Sequence, residues 1–228
     1  MGVDFSKGNR IEIFSENLKS YTDIVPTNNM SRQDIQSFIS DEFDKVQESH
    51  EKADLNSYLT EIFNCSEDEI SIPFYITDEI DEVLRLFDIQ EWDVLDESDK
   101  VSISTEFVRL IAEDLGVEKI PTVSFSDELD ADAKYNPLEN IIYLNNEYVD
   151  DPIEIVESLA HELRHAYQHE RAEKLETRED LLFSLNLDYY ITPEIDSEGY
   201  YINFYDYYDQ YVECDARAFA SIFREAIE

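Results

Sequence analysis

Apolar side chains recur at helical spacing over two long segments near the end of the chain. In DPIEIVESLAHELRHAYQHE, residues 151–170, the apolar positions define one face of a helix: Val156, Leu159, Ala160, Leu163 and Tyr167. Asp151 suits the position before the first helical residue, and Pro152 suits that first residue. The pattern therefore predicts a helix that begins near residue 152 and packs this face against a core.

The last segment, YYDQYVECDARAFASIFREAI at residues 207–227, has the same period. Its apolar positions also share one face: Tyr208, Val212, Ala216, Phe219, Phe223 and Ile227. Earlier in the chain, STEFVRLIAEDLGV at residues 104–117 predicts a helix that Gly116 ends, because glycine tolerates the left-handed conformation common at helix ends.

Shorter apolar runs lie between these helices. PTVSF at residues 121–125 and NIIYLNN at residues 140–146 predict strands, and the polar stretch DELDADAKYNPL between them predicts a loop. We expect the second strand to present a sheet edge, to which an extended substrate could add as a further strand.

The first hundred residues also carry helical patterns. Ser31 suits the start of one helix and Asp78 the start of another. Between them, EISIPFYIT at residues 69–77 predicts an extended segment, which Pro73 confines to a sheet edge or a turn. The whole pattern predicts a mainly helical α+β protein with a small sheet, divided into residues 1–100 and residues 101–228.

Charge and composition exclude several classes of protein. The chain has 55 Asp and Glu against 17 Lys and Arg, a formal net charge of -38, so its surface is unsuited to direct binding of nucleic acid. A hydrophobic content of 43%, with 15 Tyr and 13 Phe, argues against disorder. No apolar run reaches the roughly 18 residues that a membrane helix needs. Two cysteines are too few for a disulfide framework, so we expect a cytoplasmic protein.

The histidines are the first indication of chemistry. His161 and His165 lie one helical turn apart in the stretch HELRH. Two imidazoles at this spacing can bind one zinc ion, at about 2.0–2.1 Å each, with Glu162 beside the metal as general base for water. The same residues also suit the polar face of an acidic helix, because the apolar face lies on the other side. A third ligand is needed to favour the zinc interpretation.

Glu213 is the candidate for that third ligand. It lies beside the apolar face of the last predicted helix, where a carboxylate could reach His161 and His165 on an antiparallel neighbour. Asp215 is two residues further on, about 200° around the helix, so both carboxylates cannot face one metal. The alternative interpretation of Glu213 is a solvated glutamate in a glutamate-rich chain.

The two segments together resemble a known family. AHELRHAYQ followed by ECDARAFA is similar to the gluzincin metallopeptidases, and in particular to the ImmA/IrrE-type enzymes, which carry HExxH and then E-x-[ED]-A-x-x-F-A on a later helix. The resemblance covers roughly residues 100–228 and implies a zincin-like fold with an HExxH active-site helix. It also implies that His161, His165 and Glu213 are the Zn²⁺ ligands and that Glu162 is the base. Arg217 departs from the pattern, since related enzymes often have Asp or Asn there to support a histidine.

The resemblance implies a zinc metalloendopeptidase, which hydrolyses peptide bonds through a zinc-activated water with Glu162 as general base. Tyr208, Tyr211 and His169 are candidates for a neutral donor to the transition state. We expect a protein or peptide substrate, with a basic one favoured by the charge, and the acidic residues 1–100 as a cover or docking surface. No contact with nucleic acid or membrane is expected.

The alternative function is a non-catalytic acidic binding protein, or a mimic of nucleic acid, on a zincin-like fold. Its support is the charge alone. The intact Glu162 argues against it, because a protein without turnover has no use for a general base.

Overall fold

The computed structural model describes residues 70, 72–88, 92, 94–129, 131–148, 150–188, 190–198 and 200–227. In this part of the chain the structure is α+β, with several helices and one small mixed sheet. The helix predicted to begin at Ser31 lies outside the described residues.

The predicted helices are present, but the one quoted as residues 104–117 begins earlier, at Glu97, and the one quoted as residues 207–227 begins later, at Tyr211, with Tyr208 in a separate short helix. The α-helices are α1 Asp78–Leu84, α2 Glu97–Leu115, α3 Pro152–Lys174, α4 Arg178–Asp188, α5 Phe204–Tyr208 and α6 Tyr211–Ile227. The strands are β1 Thr122–Ser126, β2 Ala133–Asn136 and β3 Ile141–Asn145. Short 3-10 helices cover Arg85–Phe87 and Asn146–Tyr148.

Local chemistry explains where the helices begin and end. Gly116 ends α2 in the left-handed conformation, with φ of 71°, as predicted. Helix α1 is capped by Thr77 and not by Asp78, because the Thr77 hydroxyl accepts from the Ile80 N–H at 3.3 Å. The prediction was therefore wrong by one residue, and Asp78 instead places its carboxylate in the first turn, where the helix dipole favours it.

The sheet has the strand order β1-β3-β2. Strand β3 pairs parallel with β1, with Val123 opposite Ile142, and antiparallel with β2, with Tyr135 opposite Ile142. Both edges of β3 are therefore paired, and the prediction that NIIYLNN presents an open edge is wrong. The stretch predicted as a polar loop contains the edge strand β2, because the hairpin turn before β3 brings its backbone into pairing range. Asn140 adopts a left-handed φ of 55° in that turn.

By contact pattern the described chain forms two compact units, and the first comprises Glu67–Glu170 and Cys214–Glu228. Aromatic rings fill its core: the ring centroids of Phe107 and Phe223 lie 5.4 Å apart, and those of Phe74 and Phe219 lie 5.2 Å apart. The extended segment before α1 reaches this core through a turn at Pro73, where the Phe74 N–H donates to Ile72 O at 2.9 Å. Of the two alternatives predicted for Pro73, a sheet edge or a turn, the structure has the turn.

Helix α2 runs across residue 100, where the sequence analysis divides the chain. Phe87, which precedes residue 100 in the sequence, packs against Phe107 of α2, with 5.5 Å between the ring centroids. The division into residues 1–100 and residues 101–228 stays a prediction.

The described residues of the other unit lie within Arg171–Glu213. Buried amide side chains hold this unit together: Asn186 Nδ2 donates to Gln210 Oε1 at 3.0 Å, and Asn186 Oδ1 accepts from the Val212 N–H at 2.9 Å. Across the described ranges, no helix is both long enough and apolar enough to cross a membrane.

Candidate metal centre

Helix α3 presents His161 and His165 one turn apart on a half-buried face. The helix begins as predicted, because Asp151 Oδ1 accepts from the N–H groups of Ile153 at 3.2 Å and Glu154 at 3.3 Å. The Nε2 atoms of the two histidines lie 3.0 Å apart. Both imidazoles therefore direct the same ring nitrogen at one point beside the helix.

Gln168 fixes the orientation of the His165 ring. Its Nε2 donates to Asp215 Oδ2 at 2.7 Å, and this contact sets the amide orientation because a carboxylate only accepts. Gln168 Oε1 then faces His165 Nδ1 at 2.8 Å and accepts a hydrogen bond from it. With the proton on Nδ1, the lone pair of Nε2 is available to a metal.

An ion pair in the interior holds α6 against α3. Arg164 donates to both carboxylate oxygens of Asp215, from Nε at 2.7 Å and from Nη2 at 2.9 Å. The guanidinium also lies over the ring of Tyr167, 4.4 Å from its centroid, and 5.2 Å from the ring centroid of Phe219. This pair fixes α6 against α3 at Asp215.

Glu213 lies in that first turn and is buried, with 2% of its surface exposed. A carboxylate oxygen of Glu213 and one ring nitrogen from each of His161 and His165 all lie within 4.8 Å of one another. Asp215 binds Arg164 instead, as expected for two carboxylates about 200° apart on one helix. The structure thus brings the predicted residues together, and their role as ligands stays a prediction.

The donor set fits Zn²⁺. Catalytic zinc sites use three protein ligands of these types, and two nitrogens bound to one tetrahedral zinc lie about 3.3 Å apart. The 3.0 Å between the two Nε2 atoms is close to that spacing. A buried carboxylate such as Glu213 also needs a nearby cation or hydrogen-bond donors to offset its lost hydration.

Glu162, the predicted base, follows His161 on α3 and is 9% exposed. Its Oε2 accepts from the backbone N–H of Tyr135 in the edge strand β2, at 2.6 Å. This hydrogen bond holds the carboxylate in one place beside the histidines and shows that the outer edge of β2 faces α3.

Tyr190 is a residue of the site that the sequence did not indicate. Its hydroxyl donates to Glu213 Oε1 at 2.6 Å, while 37% of the residue stays exposed. Burial of the hydroxyl and the nearby Glu213 charge raise the pKa of Tyr190 far above its ordinary value. The hydroxyl therefore stays protonated at neutral pH and remains a neutral donor.

The three residues that the sequence suggested as donors to the transition state contact other aromatic rings. Tyr208 stacks on Phe204 at 5.1 Å between ring centroids, and the Tyr211 ring lies 5.7 Å from that of Phe183. The His169 ring lies 5.8 Å from that of Tyr135. Tyr190 joins these candidates because its hydroxyl contacts a prospective ligand directly.

Arg217, the departure from the family pattern, donates to Cys214 Sγ at 3.3 Å. Support for a histidine comes from Gln168 instead. Gln168 lies three residues after His165, which is the spacing of side chains that meet on a helix. This contact could therefore have been predicted from the sequence.

Comparison of the chain with models of protein families, with curated proteins and with solved structures finds no significant match.

Proposed function

We propose that this chain is a zinc-dependent metallopeptidase of the gluzincin type, with a zincin-like fold. The observation that carries the proposal is the convergence of three donors within 4.8 Å of one another: His161, His165 and Glu213. A buried glutamate, Glu162, stands beside them on the same helix as the histidines.

Bound Zn²⁺ would supply a Lewis acid that lowers the pKa of water and polarises a substrate carbonyl. The residues of the chain supply the proton transfers. Glu162 accepts a proton from the attacking water and passes it to the amine of the departing product, which is the usual work of a positioned carboxylate. Its hydrogen bond to the Tyr135 N–H limits its motion, so the carboxylate is already placed when the substrate arrives.

Tyr190 is the proposed donor to the carbonyl oxygen as negative charge develops on it. The hydroxyl is protonated at neutral pH and is held 2.6 Å from Glu213 Oε1, beside the prospective metal position. The hydroxyl has a single proton, so it would turn from Glu213 Oε1 to the carbonyl oxygen as negative charge develops there.

The substrate is proposed to be a protein or peptide in extended conformation. Strands β1 and β2, not β3, are the edges of the sheet, and the outer edge of β2 lies beside the helix that carries Glu162, whose carboxylate accepts from the Tyr135 N–H. An extended chain that pairs with this edge would carry its peptide bonds past Glu162. With two cysteines in the whole chain, a reducing cytoplasm remains our proposed location.

The test uses the full-length chain, stripped of metal with a chelator, reloaded with zinc and incubated with a proteome-derived peptide library. Metal content is measured by mass spectrometry, and cleavage is read from new peptide termini. We expect one zinc per chain and zinc-dependent cleavage for the wild type. Glu162→Gln should keep the zinc and lose cleavage, because glutamine has the same shape and cannot accept the proton.

Glu173→Gln is the matched control, since this glutamate is exposed on the same helix, and it should keep both properties. Zinc content far below one per chain, or equal cleavage by Glu162→Gln, would refute the proposal. Full zinc content without cleavage by the wild type would favour the non-catalytic alternative.

A further inference from the structure

Residues 191–210, which we call the aromatic loop, are closed at their base by one buried side chain. Gln210 Oε1 accepts from the Ile191 N–H at 3.1 Å, and Gln210 Nε2 donates to Ile191 O at 2.9 Å. Further out, Asn203 Oδ1 accepts from the Glu194 N–H at 2.7 Å. The two ends of the loop are therefore tied together, as in the compact surface loops that often carry function.

The tip of the loop is fixed by its own hydrogen bonds. Ile195 and Tyr201 form an antiparallel bridge, and Asp196 Oδ1 accepts from the N–H groups of Glu198 at 2.8 Å and Tyr200 at 2.9 Å. At the tip the conformation is held by backbone pairing and by Asp196, without burial of the large apolar side chains there.

Large apolar and aromatic side chains of the loop are exposed to solvent. Their exposed fractions are Ile195 57%, Tyr200 68%, Tyr201 55%, Ile202 66%, Phe204 37% and Tyr205 74%. The Phe204 ring lies 5.6 Å from the rings of both Tyr201 and Tyr205, so these three rings form one patch, and Tyr200 adjoins Tyr201 in the sequence. Contiguous exposed patches of this kind usually mark a contact surface, and tyrosine is among the residues that contribute most to such surfaces.

The negative charge of the loop indicates the charge of its partner. Its charged side chains are all acidic: Glu194, Asp196, Glu198, Asp206 and Asp209. The sequence has no Lys, Arg or His between Arg178 and Arg217. A cationic partner is attracted by these carboxylates, and arginine in particular stacks on tyrosine rings while it pairs with a carboxylate. A second copy of this chain is a poor partner, because it would bring a further net charge of -38.

We propose that the aromatic loop binds an arginine- and lysine-rich segment of another protein. The binding goes beyond the proposed peptidase activity, because it requires neither a metal nor Glu162. The loop is thus a recognition surface whose ligand class is a basic peptide.

The test measures binding of a fluorescent peptide to the full-length chain by anisotropy, without zinc. The probe alternates Arg and Ser over about twelve residues, roughly the length that such a surface contacts, and a Glu-Ser peptide of equal length is the charge-reversed control. We expect the Arg-Ser peptide to bind and the Glu-Ser peptide not to bind. Glu162→Gln should leave the affinity unchanged, so failure of the peptidase proposal would not affect this result.

The double variant Tyr200→Ala with Tyr205→Ala should weaken binding of the Arg-Ser peptide by about tenfold, because it removes two stacking surfaces. Both side chains are exposed, so the variant should unfold at the same temperature as the wild type. Tyr75→Ala is the matched control, since Tyr75 is 85% exposed and lies outside the loop, and it should bind like the wild type.

Two outcomes would overturn the proposal directly: no binding of the Arg-Ser peptide by the wild type, or equal affinities of the double variant and the Tyr75 variant. The second outcome would assign binding to net charge alone. Self-association that the double variant abolishes, with no peptide binding, would overturn it in favour of a second copy.

Discussion

Arg164 and Asp215 form a two-point ion pair whose side chains are 4% and 0% exposed. Arg164 precedes His165 on α3, and Asp215 follows Glu213 by two residues on α6. The pair therefore joins the helix that carries the histidines to the helix that carries the carboxylate. The geometry of the proposed metal site depends on an interaction that does not touch the metal.

Asp215→Ala should lower the free energy of unfolding by about 3–5 kcal/mol, because it leaves the Arg164 guanidinium buried without its carboxylate. Chemical denaturation measures the change. Arg164→Met combined with Asp215→Leu should recover much of the loss, since neither position then leaves a buried charge without its partner. Arg109→Ala is the control: its ion pairs with Glu106 and Glu113 are exposed and should matter little. Equal destabilisation by Asp215→Ala and Arg109→Ala would contradict the prediction.

Gln168→Met should lower zinc affinity about 10–100-fold, because the His165 ring loses the acceptor that fixes its tautomer and orientation. Competition against a chromophoric chelator gives the affinity. Methionine keeps the length of the side chain, and Asp215 keeps Arg164, so the fold should survive. Glu173→Gln, further along the same helix, should bind zinc like the wild type. A Gln168 variant with wild-type affinity would show that His165 is held by other contacts.

Zinc at about 100 times its dissociation constant should raise the free energy of unfolding by about 2.7 kcal/mol, since it binds the folded state preferentially. Scanning calorimetry with and without a chelator detects this as a shift in melting temperature. Glu213→Ala should remove most of the shift by lowering zinc affinity by orders of magnitude, whereas Glu162→Gln should retain it. If folded Asp215→Ala lost more zinc affinity than Glu213→Ala, the ligand assignment would have to be reversed.

Tyr190→Phe should lower kcat by about 10²–10³-fold, the usual effect of removing one donor to an oxyanion. The ring stays, so zinc content should remain near one per chain. Tyr205→Phe, at an exposed tyrosine of the same unit, is the control and should not change kcat. The substrate for both assays is a peptide identified in the library cleavage. If Tyr190→Phe weakens zinc binding and leaves kcat unchanged, the hydroxyl positions Glu213 and does not assist the substrate.

Local features of the fold could be predicted from the sequence, because neighbours in the chain determine them. Gly116 ends α2 and Asp151 caps α3 through contacts within a few residues. Strand β2 could not be predicted, since the four residues AKYN are too few for their alternation to indicate a strand, and they pair only because a hairpin turn returns the chain along β3. The position of β3 in the centre of the sheet also depends on which strands meet, which periodicity does not encode.

The candidate site also combines local contacts, which the sequence predicts, with long-range contacts, which it does not. His161 and His165 are one turn apart on one helix, so their approach follows from helical geometry alone. Asp215 was expected to point away from the metal, but its complete burial was not expected. The burial follows from its pairing with Arg164, which lies 51 residues away in the sequence. Tyr190 reaches Glu213 across 23 residues with no periodic relation between them. Contacts of that kind appear only once the chain has folded.

Cys214 lies between Glu213 and Asp215 on α6 and is 1% exposed. Alkylating reagents can reach its thiol only when this turn of the helix opens, so the labelling rate reports how often it opens. In a Cys65→Ser background, the rate would follow this one position. A ligand that ties down Glu213 must slow the labelling, and a lost ion pair at Asp215 must accelerate it. The reactivity of one sulfur atom thus measures the local opening of this turn without any substrate.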